Sequence, residues 1–343
     1  MGKNTTMLEA LGGAAGCRRL SVEFYGRVGK DPILHPLFPG KSQKCAIEEF
    51  TAFLIQFLGG DEDQTQRRWW LSLHESHARF QIGPAERGAW LKHMRSTLEA
   101  IPLDDDTCEA LRQFFEQSSA YVVDQTTANP KDHELATRWH EQHVLDKTID
   151  AIAAGRDPEV LATVPRFASR PVVFVGLLVR MIKSGRADLI HFVTSAMEHD
   201  PALTTQCFAG KTLLHFAAGA GCLDVITVLL RLGTNPNIQD SDGHTPLYRV
   251  ANECALETGP HIVQALVLAG ADVNAGSGIT KATALHMAAR QGHLAVAKML
   301  LDCGADVDVQ DRKGTTPLQR AVNCRRHTIV ALLEARGKPR LGG

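Results

Sequence analysis

Apolar residues recur at helical spacing through the amino-terminal part of the chain. Leu20, Phe24 and Val28 share one stripe, and Ile47, Phe50, Phe53, Leu54 and Phe57 a second. Leu91, Met94 and Leu98 continue the pattern, as do Leu111, Phe114, Phe115 and Tyr121. Intervals of three, four and seven residues return a side chain to the same helix face, so the pattern predicts amphipathic helices around one core. Gly12-Gly13 and Gly59-Gly60 punctuate them as corners. Asn129-Pro130 ends the last helix, because the residue before proline avoids helical geometry.

The carboxy-terminal part repeats. Gly210-Lys211-Thr212-Leu213-Leu214-His215 recurs as Gly243-His244-Thr245-Pro246-Leu247-Tyr248, as Thr283-Ala284-Leu285-His286 and as Gly314-Thr315-Thr316-Pro317-Leu318-Gln319. Thr212, Thr245, Thr283 and Thr316 stand 33, 38 and 33 residues apart, the longer interval carrying an insertion around Glu253 to Gly259. The threonine can cap a helix whose first position tolerates proline. Gly233, Gly270 and Gly304 follow second helices as left-handed caps. This period and motif are similar to ankyrin repeats, whose copies bury their apolar faces only by stacking. Gly185-Arg186-Ala187-Asp188-Leu189-Ile190 echoes Gly221-Cys222-Leu223-Asp224-Val225-Ile226, so residues 171–206 read as a degenerate first repeat. The insertion is a candidate specificity element.

With 343 residues the chain suffices for two domains. Its 37 basic and 38 acidic side chains leave no broad electrostatic footprint for nucleic acid. No apolar run approaches the ~20 residues of a membrane span. The start lacks a secretory core; Gly2 with Thr6 fits a myristoylation pattern, but no polybasic second anchor accompanies it. The eight cysteines form no Cys-x-x-Cys pair and read as reduced thiols of a cytoplasmic protein. His74-Glu75-Ser76-His77 and His140-Glu141-Gln142-His143 each fall one residue short of the zinc-hydrolase motif.

The segment Leu73-His74-Glu75-Ser76-His77-Ala78-Arg79-Phe80-Gln81-Ile82-Gly83, with Trp90 beyond Pro84, is the most informative stretch. With Phe24-Tyr25 and Leu37-Phe38-Pro39 upstream, it resembles a truncated haemoglobin of the second group from about Leu8 to Val123. The resemblance implies an all-α chain, a 2-over-2 helical globin followed by the ankyrin solenoid. It implies haem b (iron protoporphyrin IX), with His77 as the axial donor that haem iron requires. Tyr25 and Trp90 match the distal donors; Phe38, Ala46, Phe50, Phe53, Phe80 and Ile82 match the pocket walls. His74 is the rival to His77. This sequence departs from the pattern in having Phe38 where a tyrosine is common. Glu49 stands where an arginine often binds a propionate, leaving Lys44, His74, Arg79 and Arg87 as substitutes.

These observations predict a globin at 1–128, a helical linker or cap at 129–170 and an ankyrin domain at 171–338. The expected function is reversible O2 or other diatomic gas binding, coupled to an unidentified protein partner of the repeats, with no nucleic acid and no membrane span. Two alternatives stay open: an NO dioxygenase or peroxidase-type enzyme, and a gas or redox sensor acting through the repeats. No Gly-x-Gly-x-x-Gly turn supplies a reductase. The array is expected to lack a basic stripe.

Overall fold

The computed structural model describes residues 6–37, 43–60, 77, 82–124 and 132–337. They form two compact units, Met1–Ala151 and Ile152–Gly343. Phe38, His74, Arg79 and Phe80 lie outside the described residues.

The described residues of the first unit form helices joined by turns: α1 (Met7–Ala10), α2 (Gly13–Val28), α3 (Gln43–Phe57), α4 (Pro84–Ala100), α5 (Asp105–Asp124) and α6 (His133–Ala154), whose last turn runs into the second unit. Gly12 and Gly13 both have positive φ, which turns the chain between α1 and α2. Pro84 opens α4, where a missing N–H costs nothing, and Glu86 accepts from the Gly83 N–H at 2.8 Å. Asp104 caps α5 by accepting from the Thr107 N–H at 2.9 Å. Helix α2 packs on α3 and α4, and α4 on α5. The apolar stripes meet in one core of Leu20, Phe24, Leu54, Met94, Leu98, Leu111 and Phe114. His93 joins Asp31 at 2.7 Å, tying α4 to the end of α2.

Helix α6 supplies what the amino-terminal pattern alone does not contain. Its Leu135 and Trp139 are buried in that same core. The Trp139 ring meets Phe114 at 5.6 Å, Tyr121 at 5.4 Å and Phe57 at 6.3 Å, all edge-on. Tyr121 donates to the buried Asp146 at 3.0 Å, and Gln142 donates to it at 2.8 Å.

The second unit is a stack of helix pairs. After α7 (Asp157–Thr163) come α8 (Pro171–Ser184) and α9 (Ala187–His199), then the short hairpin of β1 (Cys207–Phe208) and β2 (Lys211–Thr212). The hairpin register pairs Cys207 with Thr212 and Phe208 with Lys211. The remaining pairs are α10 (Leu213–Ala220) with α11 (Leu223–Arg231), α12 (Pro246–Glu253) with α13 (Gly259–Leu268), α14 (Ala284–Gln291) with α15 (Leu294–Asp302), and α16 (Pro317–Asn323) with α17 (His327–Gly337). The inner helices α8, α10, α12, α14 and α16 adjoin in sequence, and the outer helices α9, α11, α13, α15 and α17 form the second layer. The expected degenerate repeat is therefore a full member of the stack.

The repeat motif shows its physics in the hydrogen bonds. Thr245 and Thr316 accept from the N–H groups of Tyr248 and Gln319 three residues on. In the other two copies a buried histidine completes the cap. His215 Nδ1 accepts from the Thr212 N–H at 3.3 Å, and its Nε2 donates to the His244 carbonyl at 3.0 Å. His286 does the same with Thr283 at 3.1 Å and the Thr315 carbonyl at 2.8 Å. Both rings thus use the neutral tautomer with one donor and one acceptor. Burial is the largest influence on each and lowers its pKa below the ordinary histidine value of 6.5.

That depression makes stability pH-dependent. The unfolded chain takes up protons first, so the contribution of both rings is full above 6.5 and is lost as the pH falls below it. The fourth copy already carries Gln319, whose Oε1 accepts from the Thr316 N–H at 2.9 Å without titrating. His215→Gln with His286→Gln is therefore expected to keep the caps and flatten the loss of thermal stability between about pH 7 and pH 5. Melting curves of the full chain across that range check it; an unchanged slope would contradict the assignment.

Candidate functional site

Three helices of the first unit bring the expected pocket residues together. Tyr25 follows Phe24 on α2, Ala46, Phe50 and Phe53 lie on α3, and Trp90 stands on α4. Tyr25 meets Phe50 edge-on at 6.0 Å, and Phe50 stacks along α3 on Phe53 at 6.4 Å. Trp90 contacts Phe24 at 5.1 Å and Phe115 at 5.7 Å, and Phe50 reaches Phe115 at 6.3 Å. Phe24 and Phe115 are fully buried and form the floor on which Tyr25, Phe50 and Trp90 sit half-buried. Ala46, on the same helix as Phe50, is buried. Phe24 and Phe115 show in the sequence only as core positions of a helical stripe; their part in the pocket floor is visible only in three dimensions.

Polar groups on this wall are few and well defined. Burial, reinforced by the negative charge of Glu49, pushes the Tyr25 phenol above its usual range, so it keeps its proton and can donate. The Trp90 indole N–H is a group that can only donate. His77 is half-buried in helical backbone, and Ile82 is half-buried just before α4. Of the substitutes for the missing propionate ligand, Arg87 is committed to α5: it donates to Ser119 at 3.2 Å and to the Glu116 carbonyl at 2.9 Å.

Residues 6–123 match the model of the bacterial-like globin family. Over 108 residues, 32% of this chain and 81% of the relative, it is 31% identical to group 2 truncated hemoglobin YjbI of Bacillus subtilis (strain 168). The chain belongs to the bacterial-like, truncated globin family. Residues 178–275 and 251–339 of this truncated globin chain match ankyrin repeats. There it is 33% identical over 138 residues to cyclin-dependent kinase inhibitor 2A of Monodelphis domestica, covering 40% of this chain and 77% of that protein. It is also 33% identical over 143 residues to ankyrin repeat and SOCS box protein 16 of Homo sapiens, of which it spans 31%. The order globin, then ankyrin repeats, agrees with the expectation from sequence.

Globin membership implies a haem cofactor, and the described wall fits one. A flat apolar macrocycle needs ring faces and small side chains, which Tyr25, Phe50, Phe53, Trp90 and Ala46 provide. The ankyrin repeats imply protein–protein interaction. Among the described residues no helix is long and apolar enough to cross a membrane.

Proposed function

We propose that the amino-terminal unit holds haem b through His77 and binds O2 reversibly, and that the repeats serve as a protein-interaction module of a cytoplasmic protein. The observation that carries this reading is the convergence of two proton donors, Tyr25 and Trp90, on one ring-lined wall. When bound, haem supplies the iron at which a diatomic gas is held. His77 would supply the imidazole donor to that iron. Phe50, Phe53 and Ala46 pack the macrocycle and exclude water, with Phe38, Phe80 and Ile82 assigned to the remaining walls. Tyr25 and Trp90 donate hydrogen bonds to the gas ligand. We divide the chain into a globin at 1–128, a helical linker or cap at 129–170 and the repeats at 171–338. Absorption spectra of the purified protein, reduced, under air and under CO, test it: absence of a haem spectrum after reconstitution would overturn it.

The distal donors are expected to govern ligand departure more than access. O2 held at ferrous iron is polar and CO much less so, so only O2 gains strongly from a donor. A hydrogen bond to a charged acceptor contributes roughly 1.5–3 kcal/mol. Tyr25→Phe keeps the ring and is expected to speed O2 release by about ten- to a hundredfold, with CO release nearly unchanged. Trp90→Phe should act in the same direction while also opening space. Stopped-flow release rates for both gases decide the matter; unchanged O2 release in both variants and in their combination would mean the donors point elsewhere.

A further inference from the structure

The hairpin tips of the second unit line up side by side. The Ser241 N–H donates to the Gly210 carbonyl at 2.9 Å, Gly278 N–H to Gly243 at 2.7 Å, and Arg312 N–H to Thr280 at 2.8 Å. That register sets Lys211, His244, Lys281 and Arg312 in a row, one per repeat. Behind the row lie the inner helices. Lys183 on α8 and Lys211 both sit over the Phe216 ring, at 5.2 Å and 5.7 Å. The next copy stacks His244 on Tyr248 at 4.2 Å. The charges of Arg290 on α14 and Arg320 on α16 bear on the Tyr248 hydroxyl. Sequence inspection finds no basic stripe because these residues are separated by whole repeats; stacking brings them onto one surface.

Charge accounting along this surface is unequal. Arg249 is committed to the buried Asp240 and to Glu253, and Arg320 to the buried Asp311 at 2.5 Å. Lys211, Lys281, Arg290 and Arg312 have no carboxylate partner among the described residues. Asp242, 65% exposed, is an acidic side chain at the tips and lies 3.7 Å from the Arg249 guanidinium. Ile279, 80% exposed, stands at a tip two residues before Lys281.

We propose that this face takes an extended acidic segment of a partner protein, its carboxylates meeting Lys211, Lys281, Arg290 and Arg312 and an apolar side chain meeting Ile279. The proposal rests on the protein-interaction reading of the repeats and names the chemistry of their partner. The cations are sparse, set apart by the ~10 Å between packed helices, which suits a few acidic side chains on an extended chain better than an unbroken run of phosphates. From Lys211 to Arg312 is about 30 Å by that spacing, roughly nine or ten extended residues.

The test uses the full chain and labelled peptides of about ten residues, one alternating glutamate with serine around a central leucine, the other with lysine for glutamate, beside oligothymidylate of similar length. The acidic peptide is expected to bind wild type, more weakly as salt rises. Lys211→Glu with Arg290→Glu is expected to weaken it by about tenfold or more and to favour the lysine peptide instead. Lys281→Glu with Arg312→Glu, confined to exposed tips, should act alike without touching the helices. Failure of the acidic peptide to bind wild type, or binding to both folded variants as tight as to wild type, overturns the proposal. Binding of the lysine peptide alone to wild type would overturn it and leave the interaction reading standing. Oligothymidylate as the sole ligand would overturn both.

Discussion

Alanine in place of His77 is expected to abolish stable haem retention, whereas His74→Ala should leave the reduced spectrum unchanged. Haem is held by apolar packing and one strong axial donor, and no aromatic ring on the described wall can replace an imidazole nitrogen. His77 is half-buried in helical backbone. Packing alone can keep some haem associated, so the readout is the ferrous spectrum and not colour. A normal five-coordinate ferrous spectrum in the His77 variant would sink the assignment, and its loss in the His74 variant would transfer it. Circular dichroism of both variants separates ligand loss from unfolding.

Trp139→Ala is expected to cost the amino-terminal unit about 3–5 kcal/mol, the range for removing a large buried aromatic side chain. A domain of this size has about 5–15 kcal/mol in all, so the variant should be marginal. The ring is only 1% exposed and is edge-on to Phe57, Phe114 and Tyr121. Its removal leaves a cavity among Phe57, Phe114 and Tyr121. The same contacts bear on where the chain can be cut. Sequence places the join near Asn129-Pro130, but a version ending at Gln125 loses Leu135, Trp139 and the Asp146 acceptor of Tyr121 together. That version is expected to melt far below the amino-terminal transition of the full chain. A version ending at Gly155, where a positive φ stops α6, should retain it. Equal melting temperatures for the two versions would show that α6 contributes little.

Local signals determined much of this molecule. Three-, four- and seven-residue spacings such as Leu20, Phe24, Val28 predict helices because side-chain direction on a helix follows chain position alone. The threonine caps at Thr245 and Thr316, and the left-handed glycines at Gly233, Gly270 and Gly304, act within one turn and are equally legible. The motif around His77, Tyr25 and Trp90 points to the globin family by its order along the chain alone.

Contacts between distant segments were decided only by the tertiary structure. Trp139 lies beyond the globin-like stretch, and nothing in its helix says that it closes the core over Phe114; that depends on where α6 docks. Phe24 and Phe115 read as two core positions on separate helices, and are joined only through Phe50 and Trp90, which touch both rings. Lys211, Lys281, Arg290 and Arg312 look scattered in a chain of balanced charge. The repeat stack converts their separation along the chain into adjacency on one face, because each copy can bury its apolar side only against the next.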